Sequence, residues 1–360
     1  MAKILLLSSI YPADDVPNSC TPVAHYFAKE WRAAGNDVIA IHNISVFPNF
    51  YYKLAKLLGA DTLSSVFGFT IVPKKLEDKS YVLDGVNVYR LGMQKSLPHG
   101  KFPKSALEKQ IEKIADICEK NSFCPDAIIG HWLNPQLELL QGLKKIFPKA
   151  KTALTLHDKF KTLEKFYPGS WREKINNIDK IGFRNRFHLK QFAAESGLKA
   201  GKAYLCLSGI PEYFTAQTPQ KTFEGGLKNF VFIGTLFKRK YPELLIPVIA
   251  EAFKGADFSI SYAGEGAQYK EIQKKAAQFA VQDKVRMLGK IPRAEMNGLL
   301  DRGDCLIMIS DNEIYGLVYL EAMAKGCIVV ASKNNGFDGI IKDGVNGFLC
   351  SPCDADELTS

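Results

Sequence analysis

The amino-acid sequence predicts an α/β protein with two doubly wound parallel sheets, and three observations support this fold class. Short apolar runs alternate with amphipathic segments along most of the chain. Its 360 residues are too many for one ordinary core and about right for two domains. The alternation stops once, at residues 210–226, and then begins again. Strand–helix alternation with right-handed crossovers produces parallel sheets.

The first half opens with an apolar run, KILLLSS (3–9), of the kind that is buried on both faces of a parallel sheet. We interpret it as a strand, since one lysine and a short apolar stretch are a poor secretion signal. A helix follows, with Pro22 near its first turn and Gly35 beyond its end. Residues 46–80 are aromatic, basic and irregular, which indicates an insertion. Further strands are predicted at 37–44, 86–91, 126–132, 152–158 and 202–209, and further helices near 104–120, 135–146 and 186–196.

The segment 210–226 carries prolines, threonines and paired glycines without a clear period, which predicts a linker. Domains are therefore expected at 1–209 and 227–360. Two such domains facing each other across a cleft would bind a ligand at the carboxyl ends of their strands. In the second domain, strands are predicted at 229–236, 258–264, 285–291, 305–310 and 327–332, and helices near 242–254, 267–280, 293–302 and 316–325.

Composition and charge exclude several classes of protein. Hydrophobic residues make up 46% of the chain and charged residues 24%, as in a globular protein. No apolar run is long enough for a membrane-spanning helix. The net charge of +9 fits either a solvated basic surface or attraction to phosphate-bearing ligands or an anionic membrane face. Nucleic-acid binding is disfavoured, because the sequence has no zinc-finger spacing, RNP-like stretch or basic arm.

The eight cysteines indicate a reducing compartment, and we expect a cytoplasmic protein. Several lie in apolar strand-like runs, as reduced core thiols do. Only CSPC (350–353) has the spacing of metal ligands, and neither a second pair nor a nearby histidine completes a site. No metal site is predicted.

The stretch DNEIYGLVYLEAMAKG (311–326) carries two glutamates eight positions apart, Glu313 before a predicted helix and Glu321 within it. The N–H groups of Gly316, Leu317 and Val318 would be unpaired donors at the helix start, where the dipole attracts an anion. Carboxylates would repel a phosphate, so hydroxyls are their better partners. The pattern fits a site for a nucleotide sugar. Alternatively, Glu313 only stabilises the helix start and Glu321 lies on a solvated face.

At this point the sequence resembles the retaining glycosyltransferases of family GT4 (glycosyltransferase group 1). The stretch is similar to the E-x7-E signature of that family, and it continues in family style through KGCIVVAS and NNGFDGIIKDGVNGFLCSPCDADEL. Upstream, VFIGTLFKRKYPELLI, YAGEGAQYKEI and VRMLGKIPRAEMNGLLDRGDCLIMIS resemble the family's preceding motifs. The resemblance covers most of residues 229–358 and is looser over the first half. It implies the GT-B fold, with two Rossmann-like domains facing across a cleft.

The resemblance also implies roles for single residues. Glu321 would hold the donor ribose, and Glu313 the donor sugar and diphosphate, together with the backbone of Gly316, Leu317 and Val318. Lys240 would stabilise negative charge on the leaving diphosphate. Ile291 would edge the base, while Gly264 and Gly266 would let the chain pass close to the nucleotide. The remaining expected residues are Tyr315, Thr235 and Arg239 on the donor side, and His157, which would point at the transferring sugar.

The acceptor side is expected to include His131, Asn18 and Ser19, and two departures from the family pattern affect the assignments. Thr235 stands where the family has an arginine beside the diphosphate, so that Lys238, Arg239 or Lys240 must compensate. One lost charged contact could cost about 1.5–3 kcal/mol, roughly ten- to a hundredfold in rate. Asn18-Ser19 replaces a Gly-Gly pair, which predicts a differently shaped first loop.

The expected activity is retaining transfer of a hexose-type sugar from a nucleotide-diphosphate donor to a hydroxyl of a glycan or lipid-linked acceptor, in the synthesis of bacterial surface polysaccharide. The resemblance implies no cofactor and no essential metal. Segment 46–80 is open to a second interpretation, peripheral contact with the inner face of the membrane. A sugar-nucleotide 2-epimerase and a non-catalytic nucleotide-sugar binding protein are the alternatives. A dinucleotide dehydrogenase is disfavoured, since no G-x-G-x-x-G follows the first strand. The chain stops at DADELTS, where the family continues with further helices.

Overall fold

Two mainly parallel sheets, one in each of two units, organise the described part of the chain. The computed structural model describes residues 1–15, 21–59, 74–97, 100–157, 160–197 and 201–359. Unit 1 comprises Met1–Arg184 and His188–Ser208, and unit 2 comprises Asn185–Phe187 and Gly209–Ser360. None of the described helices is long and apolar enough to cross a bilayer.

The sheet of unit 1 has the strand order β3-β4-β2-β1-β5-β6-β7-β8. Strand β1 is central, and its Leu5, Leu6 and Leu7 are fully buried, as the continuous apolar run predicts. All neighbouring strands are parallel except β3 and β4, which form an antiparallel pair. The strands are β1 (Lys3–Ser8), β2 (Asp37–Val46), β3 (Lys79–Leu83), β4 (Val86–Gln94), β5 (Ala127–His131), β6 (Lys151–Leu156), β7 (Lys180–Phe183) and β8 (Ala203–Leu205).

Helices connect these strands and cover the sheet. They are α1 (Val23–Ala33), α2 (Asn49–Leu58), α3 (Lys104–Lys120), α4 (Gln136–Ile146), α5 (Phe160–Phe166), α6 (Trp171–Asn176) and α7 (Arg186–Ser196). The segment 46–80, predicted to be irregular, contains the regular helix α2 and the start of β3. The sequence analysis missed α2 because its leucines lie on the outward face, whereas the apolar residues of a surface helix usually form a buried stripe.

The sheet of unit 2 has the order β11-β10-β9-β12-β13-β14, with parallel pairing throughout its described ladders. The strands are β9 (Asn229–Ile233), β10 (Ser259–Ala263), β11 (Val285–Gly289), β12 (Cys305–Met308), β13 (Ile328–Ser332) and β14 (Phe348–Cys350). The helices are α8 (Leu245–Ala252), α9 (Tyr269–Gln278), α10 (Arg293–Arg302), α11 (Leu317–Ala324) and α12 (Ala355–Thr359). A short 3₁₀ turn, Lys238–Lys240, lies between β9 and α8.

The segment 210–226, predicted to be a linker, packs against unit 2. Phe214 is fully buried in its core. The ammonium group of Lys221 donates to the carbonyl of Leu300 at 2.6 Å, and Lys325 donates to the carbonyl of Gln217 at 2.7 Å. Lys221 thus satisfies an acceptor in the last turn of α10, where helix carbonyls have no partner of their own. The irregular segment 210–226 is therefore an ordered part of unit 2.

Each sheet reverses its strand order at one point. In unit 2 the chain runs outward from β9 to β11 and then returns to β12 on the other side of β9. In unit 1 the reversal lies between β1 and β5. Open parallel sheets bind ligands in the crevice at the carboxyl ends of the strands beside such a reversal. The loops after β9 and β12 are therefore the expected ligand-binding loops of unit 2.

Candidate functional site

The loops that follow β9 and β12 are bonded to each other directly. The N–H of Asp311 donates to the carbonyl of Arg239 at 2.7 Å. The guanidinium of Arg239 donates back to the carbonyl of Asp311 at 3.1 Å. This pairing uses Arg239, one of the predicted donor-binding residues, to hold the loops together, and it fixes the neighbouring Lys240 relative to the loop that carries Glu313.

Lys240 and Glu313 are brought together by this pairing. The Lys240 Nζ lies 3.6 Å from Glu313 Oε2, and the two side chains are only 12% and 17% exposed. Burial lowers the pKa of Lys240, and the neighbouring Glu313 carboxylate partly opposes that shift. Glu313 Oε2 is buried and accepts no hydrogen bond from the described residues. A close cation and an unfilled acceptor therefore lie at the point where topology places a ligand.

Two residues of the loop after β13 hold the backbone of Glu313 in position. Its N–H donates to Asn335 Oδ1 at 3.1 Å, and its carbonyl accepts from the N–H of Gly336 at 2.8 Å. A Cβ at Gly336 would lie 2.7 Å from the backbone of Tyr315, so that only glycine allows this approach. The sequence analysis missed Asn335 and Gly336, although both lie in the NNG that follows a strand.

The predicted glycines after β10, Gly264 and Gly266, pack against the loop after β9. A Cβ on Gly264 would lie 2.0 Å from the carbonyl oxygen of Gly234, and one on Gly266 would lie 2.6 Å from that of Leu236. A Cβ on Gly234 would lie 2.8 Å from Lys240 Nζ. The close approaches at Gly264 and Gly266 are therefore to the loop after β9, and they shape the chain around Lys240.

The predicted helix start is present, and Gly316 immediately precedes α11. Gly316 has φ +80° and ψ +73°, a left-handed conformation that favours glycine. Leu317 and Val318 begin the helix, where N–H groups have no acceptor within the helix itself. Tyr315 packs into the core, with its ring 5.6 Å from that of Phe337.

A Gly316→Ala substitution should lower the free energy of unfolding by about 1–3 kcal/mol. The new Cβ would lie 2.5 Å from the ring of Tyr319, which is itself buried, and the φ angle would be strained. Urea unfolding measures the effect. Gly298→Ala is the matched control: it lies inside α10 with its nearest neighbour at 3.7 Å, so it should stabilise the chain by about 0.5–1 kcal/mol. Equal stability of the two variants would contradict the strained geometry.

Glu321 is fully within the interior, and its carboxylate is paired with Arg293. Only 1% of Glu321 is exposed, and Arg293, the first residue of α10, donates to Oε1. Arg293 Nε, in contrast, is buried without a partner among the described residues. The sequence analysis missed Arg293, because a charged residue at the start of an amphipathic helix looks like part of a solvated face. This pairing excludes the alternative that Glu321 lies on such a face.

Two further predicted donor-side residues occupy less central positions. Thr235 is exposed, and its carbonyl accepts from the N–H of Phe237 at 2.9 Å in the turn after β9. Ile291 follows β11 and packs partly buried against the core of unit 2. The hydroxyl of Thr235 therefore does not supply the positive charge that the resemblance implies at this position.

In unit 1 the two predicted histidines are in direct contact. His131 ends β5 and His157 follows β6, and their rings share a hydrogen bond of 2.9 Å between Nδ1 and Nε2. The His157 ring also stacks on Trp132, with centroids 4.2 Å apart. Asn18 and Ser19, the other predicted acceptor-side residues, lie outside the described part of the chain.

Both histidines are held neutral. Burial, with help from Arg184, lowers the pKa of His131 to about 3. Burial lowers the pKa of His157 well below its ordinary value, and His131 and Arg184 add to the shift. One ring therefore donates and the other accepts in the shared hydrogen bond. His157 can present an N–H or a lone pair to a ligand, but it does not carry a charge near neutral pH.

Acid should destabilise unit 1 before its carboxylates titrate. Burial likewise lowers the pKa of His42 to about 3. These groups bind protons in the unfolded chain below about pH 6.5 but not in the folded one, so stability falls as the pH falls. His42 and His131 should each remove about 2 kcal/mol of unfolding free energy between pH 8 and pH 5.

Urea unfolding of unit 1 at the two pH values measures this loss. The carboxylates with lowered pKa, such as Asp15, lose their contribution only below about pH 4, so they contribute nothing to the change between pH 5 and pH 8. A His42→Gln variant should reduce the difference between the two pH values by about 2 kcal/mol. An unchanged unfolding midpoint at pH 5 would contradict the neutral buried histidines.

A buried chain of amides lies near these histidines and was missed by the sequence analysis. Gln136 Nε2 donates to Ser9 Oγ at 2.7 Å and to the carbonyl of His131 at 3.1 Å. Asn43 Nδ2 donates to Gln136 Oε1, and Gln110 donates to Asn43 Oδ1. Single amides in separate elements give no spacing signal, and only the topology brings them to the carboxyl ends of β1, β2 and β5.

The described residues contain no cluster of three or more histidine, cysteine or acidic side chains that could hold a metal ion. In the CSPC segment, Cys350 is buried and Cys353 is exposed, and the thiol of Cys350 donates to the carbonyl of Ser351 at 3.3 Å. All seven cysteines in the part of the chain that the structure describes are free thiols.

Comparison with known families supports the interpretation of unit 2. Residues 214–360 match the family model described as glycosyl transferases group 1. Most of unit 2 is therefore similar to the glycosyl transferases group 1. The Bacillus anthracis N-acetyl-alpha-D-glucosaminyl L-malate synthase is 28% identical over 142 residues, which are 38% of this chain and 37% of that protein. Glycogen synthase of Mycobacterium tuberculosis is 32% identical over 102 residues, 28% of this chain and 25% of that protein. The chain thus matches less than two fifths of the length of these relatives.

Solved structures resemble the whole chain in fold. Sucrose-phosphate synthase from Thermosynechococcus elongatus has a TM-score of 0.67 at 16% identity, covering 99% of this chain and 88% of that one. Anabaena HepE in complex with UDP has a TM-score of 0.65 at 18% identity, with coverage of 99% and 88%. The predicted fold class, GT-B with two Rossmann-like parallel-sheet domains, is confirmed.

Proposed function

We propose that the chain is a glycosyltransferase that moves a hexose-type sugar from a nucleoside diphosphate donor to a hydroxyl of a glycan or lipid-linked acceptor, with retention of anomeric configuration. The observation that carries the proposal is the pairing of Lys240 with Glu313 at the strand-order reversal of unit 2, beside the start of α11. Anabaena HepE, a structural neighbour, was solved with UDP and with UDP-glucose, which supports a nucleotide-sugar donor.

On this proposal, the donor diphosphate binds between Lys240 and the start of α11. The ammonium group and the first N–H groups of the helix would meet the negative charge that develops when the bond to the sugar breaks. Because Lys240 is held by two bonded loops and these N–H groups belong to α11, little reorganisation is needed at the moment of reaction. No metal is needed in this proposal to stabilise the leaving group.

Glu313 and Glu321 would accept hydroxyl groups. Glu313 Oε2, which lacks a hydrogen bond in the described chain, has an open position for a sugar hydroxyl. Glu321 lies in the second turn of α11 and keeps one oxygen on Arg293. Its remaining lone pairs would accept from the ribose diol. A guanidinium that keeps the carboxylate charged and oriented strengthens such hydrogen bonds.

His157 would lie on the side of the transferring sugar and remain neutral. Its contact with His131 leaves one ring atom for a ligand, while Trp132 stacks on its face and fixes the ring plane. A neutral imidazole can donate to a sugar hydroxyl without placing a second positive charge near the anomeric carbon. We propose no covalent nucleophile and no cofactor, and the seven free thiols fit a reducing compartment such as the cytoplasm.

Calorimetry with UDP, GDP and ADP sugars tests the donor, and incubation of the bound donor with glycan and lipid-linked acceptors tests the transfer. Binding followed by transfer with retained configuration is the expected result. Appearance of an epimerised nucleotide sugar without acceptor would favour a 2-epimerase. Donor binding without hydrolysis or transfer would favour a non-catalytic binding protein, a function that the exposed Thr235 in place of an arginine also fits. Absence of binding with every donor would contradict the proposal.

A further inference from the structure

Lys95, the residue that directly follows β4, is buried without a partner for its charge. Only 8% of it is exposed. Its ammonium group lies 4.8 Å from the centre of the Phe102 ring. Among the described residues, none accepts a hydrogen bond from this group or forms an ion pair with it, and burial alone lowers the pKa of Lys95 to about 8. Lysines are almost never buried unpaired, so we expect the partner of Lys95 to be a ligand.

Lys325 of unit 2 shows how this chain satisfies a buried lysine when the partner is internal. Lys325 is 1% exposed, and its ammonium group lies 3.2 Å from Asp301 Oδ1. Lys240 likewise has Glu313 at 3.6 Å. No described carboxylate has this role for Lys95. Packing alone does not account for a lysine at this position, since an apolar side chain would fill the space without the cost of burying a charge.

Hydrogen bonds fix the loop that begins with Lys95 at the carboxyl edge of the unit 1 sheet. The N–H of Lys95 donates to the carbonyl of Val46, the last residue of β2, at 2.9 Å. Further along the loop, the carbonyl of Gly100 accepts from Asn134 Nδ2 at 3.3 Å. The carbonyl of Asn134 in turn accepts from Ser9 Oγ at 3.1 Å. The loop after β4 is thus connected to the loops after β1 and β5.

These connected loops include the residues expected on the acceptor side. Asn134 lies two residues after Trp132, whose ring stacks on that of His157 with centroids 4.2 Å apart. The unpaired cation of Lys95 therefore lies at the same edge of the sheet as the neutral histidine pair. A neutral ring that can contact a sugar and a cation that lacks an anion fit one ligand that carries both groups.

The start of α3 adds positive potential close to Lys95. Phe102, whose ring contacts the ammonium group, lies two residues before the helix. No side chain caps this helix start, and its first turn contains no acidic residue. The first N–H groups of α3 have no acceptor within the helix, so its dipole attracts an anion. Glu108, the first acidic residue of α3, is exposed and lies 3.6 Å from Lys104.

We propose that Lys95 binds an oxyanion carried by the acceptor, a phosphate or a carboxylate, so that the acceptor is a negatively charged sugar compound and not a neutral glycan. The word acceptor rests on the proposed glycosyl transfer, whereas the anion site itself does not. An ammonium group is a compact charge with three donors, and its hydrogen bonds to phosphate or carboxylate are charge-assisted. In a mostly buried position this attraction is stronger than in water.

Isothermal titration of the full chain without any donor tests the anion site. The probes are glucose-6-phosphate, glucuronate and neutral glucose. At least one of the two anions should bind about tenfold or more tightly than glucose, and added salt should weaken that binding. The anion that binds identifies the group that Lys95 recognises. Lys95→Met should weaken its binding about ten- to a hundredfold. Methionine fills a similar space, so the unfolding midpoint of this variant should not fall.

Lys101→Met is the matched control, because Lys101 lies in the same loop but is exposed, with its ammonium group 5.1 Å from the centre of the Tyr167 ring. It should weaken anion binding less than about threefold. Equal binding of glucose and of both anions would overturn the proposal. So would anion binding that Lys95→Met leaves unchanged, and a loss of stability in that variant would then show that Lys95 only packs on Phe102.

Transfer kinetics distinguish this proposal from the proposed function. With a charged acceptor, Lys95→Met should raise KM about tenfold or more with little change in kcat, and with a neutral acceptor it should behave like the parent chain. If an anion binds through Lys95 but no sugar is transferred from any donor, the anion site stands and the glycosyl-transfer proposal fails. If transfer proceeds and Lys95→Met treats charged and neutral acceptors alike, glycosyl transfer stands and the role of Lys95 fails.

Discussion

A Lys240→Gln variant is expected to transfer sugar about a hundredfold more slowly than the parent chain. The ammonium group is mostly buried and lies 3.6 Å from Glu313, at the point where the leaving diphosphate would gain charge. Removing one preorganised donor of this kind typically costs about 10²- to 10³-fold in rate. Steady-state kinetics with a saturating acceptor measure the change, and it should appear mainly in kcat. Donor affinity should fall less, because the ground-state diphosphate keeps the N–H groups of α11.

Lys238→Gln is the matched control, since Lys238 lies on the same 3₁₀ turn but is exposed. It should change the rate less than threefold, as expected of a charge screened by water. If both variants lost the same activity, Lys238 and Lys240 would act only through the general charge of the loop. If Lys240→Gln kept full activity, the proposed diphosphate site would be wrong.

Lys240 could also act only by holding Glu313, and stability measurements separate the two roles. Without Lys240, the Glu313 carboxylate remains largely buried and has no ion-pair partner among the described residues, which should cost about 1–3 kcal/mol of unfolding free energy. The double variant Lys240→Gln/Glu313→Gln removes that charge and should recover most of this stability. Transfer should not recover with it. Recovery of both would show that Lys240 has a structural role alone.

The fold could be predicted because most strands carry their own signal. Runs such as KILLLSS and CIVVAS are apolar throughout, and each one forms a strand of a parallel sheet. Strand β7 (Lys180–Phe183) was missed because it has only four residues, one of them glycine, and it is defined by its pairing with β6 and β8. Strand β14 (Phe348–Cys350) is shorter still and pairs along one side with β13. Short strands depend on tertiary pairing, which the local pattern does not contain.

The residues of the candidate site likewise differ in how far the sequence predicts them. Glu313, Gly316 and Lys240 are close to sequence motifs, and the structure brings Lys240 and Glu313 together. Arg293 pairs with the site residue Glu321, but only because α10 and α11 pack side by side. The spacing between Arg293 and Glu321 has no helical or strand period that could have linked them. Contacts between separate elements are therefore what the sequence alone fails to provide.

A Glu321→Ala variant is expected to bind the nucleoside diphosphate about ten- to a hundredfold more weakly. The carboxylate would lose its hydrogen bonds with the ribose diol, and hydrogen bonds to charged groups contribute about 1.5–3 kcal/mol. Isothermal titration with the nucleoside diphosphate alone measures this loss without any transfer reaction. Glu295→Ala is the matched control, because Glu295 is exposed in the first turn of α10, one turn or less from Arg293. It should leave the affinity unchanged.

Arg293 determines how the effect of Glu321 should be interpreted, because the two side chains are coupled through their ion pair. If Arg293 acts by orienting Glu321, Arg293→Met should weaken donor binding in the parent chain, about three- to tenfold, but not in Glu321→Ala. If Arg293 instead contacts the donor itself, the two losses should add. If Glu321→Ala lowers the stability of the chain without changing nucleotide affinity, the carboxylate is a structural partner of Arg293 and the ribose must be held elsewhere. Burial of the Glu321 carboxylate has a desolvation cost that is offset only if the carboxylate has more than one partner. The described chain supplies one partner, Arg293.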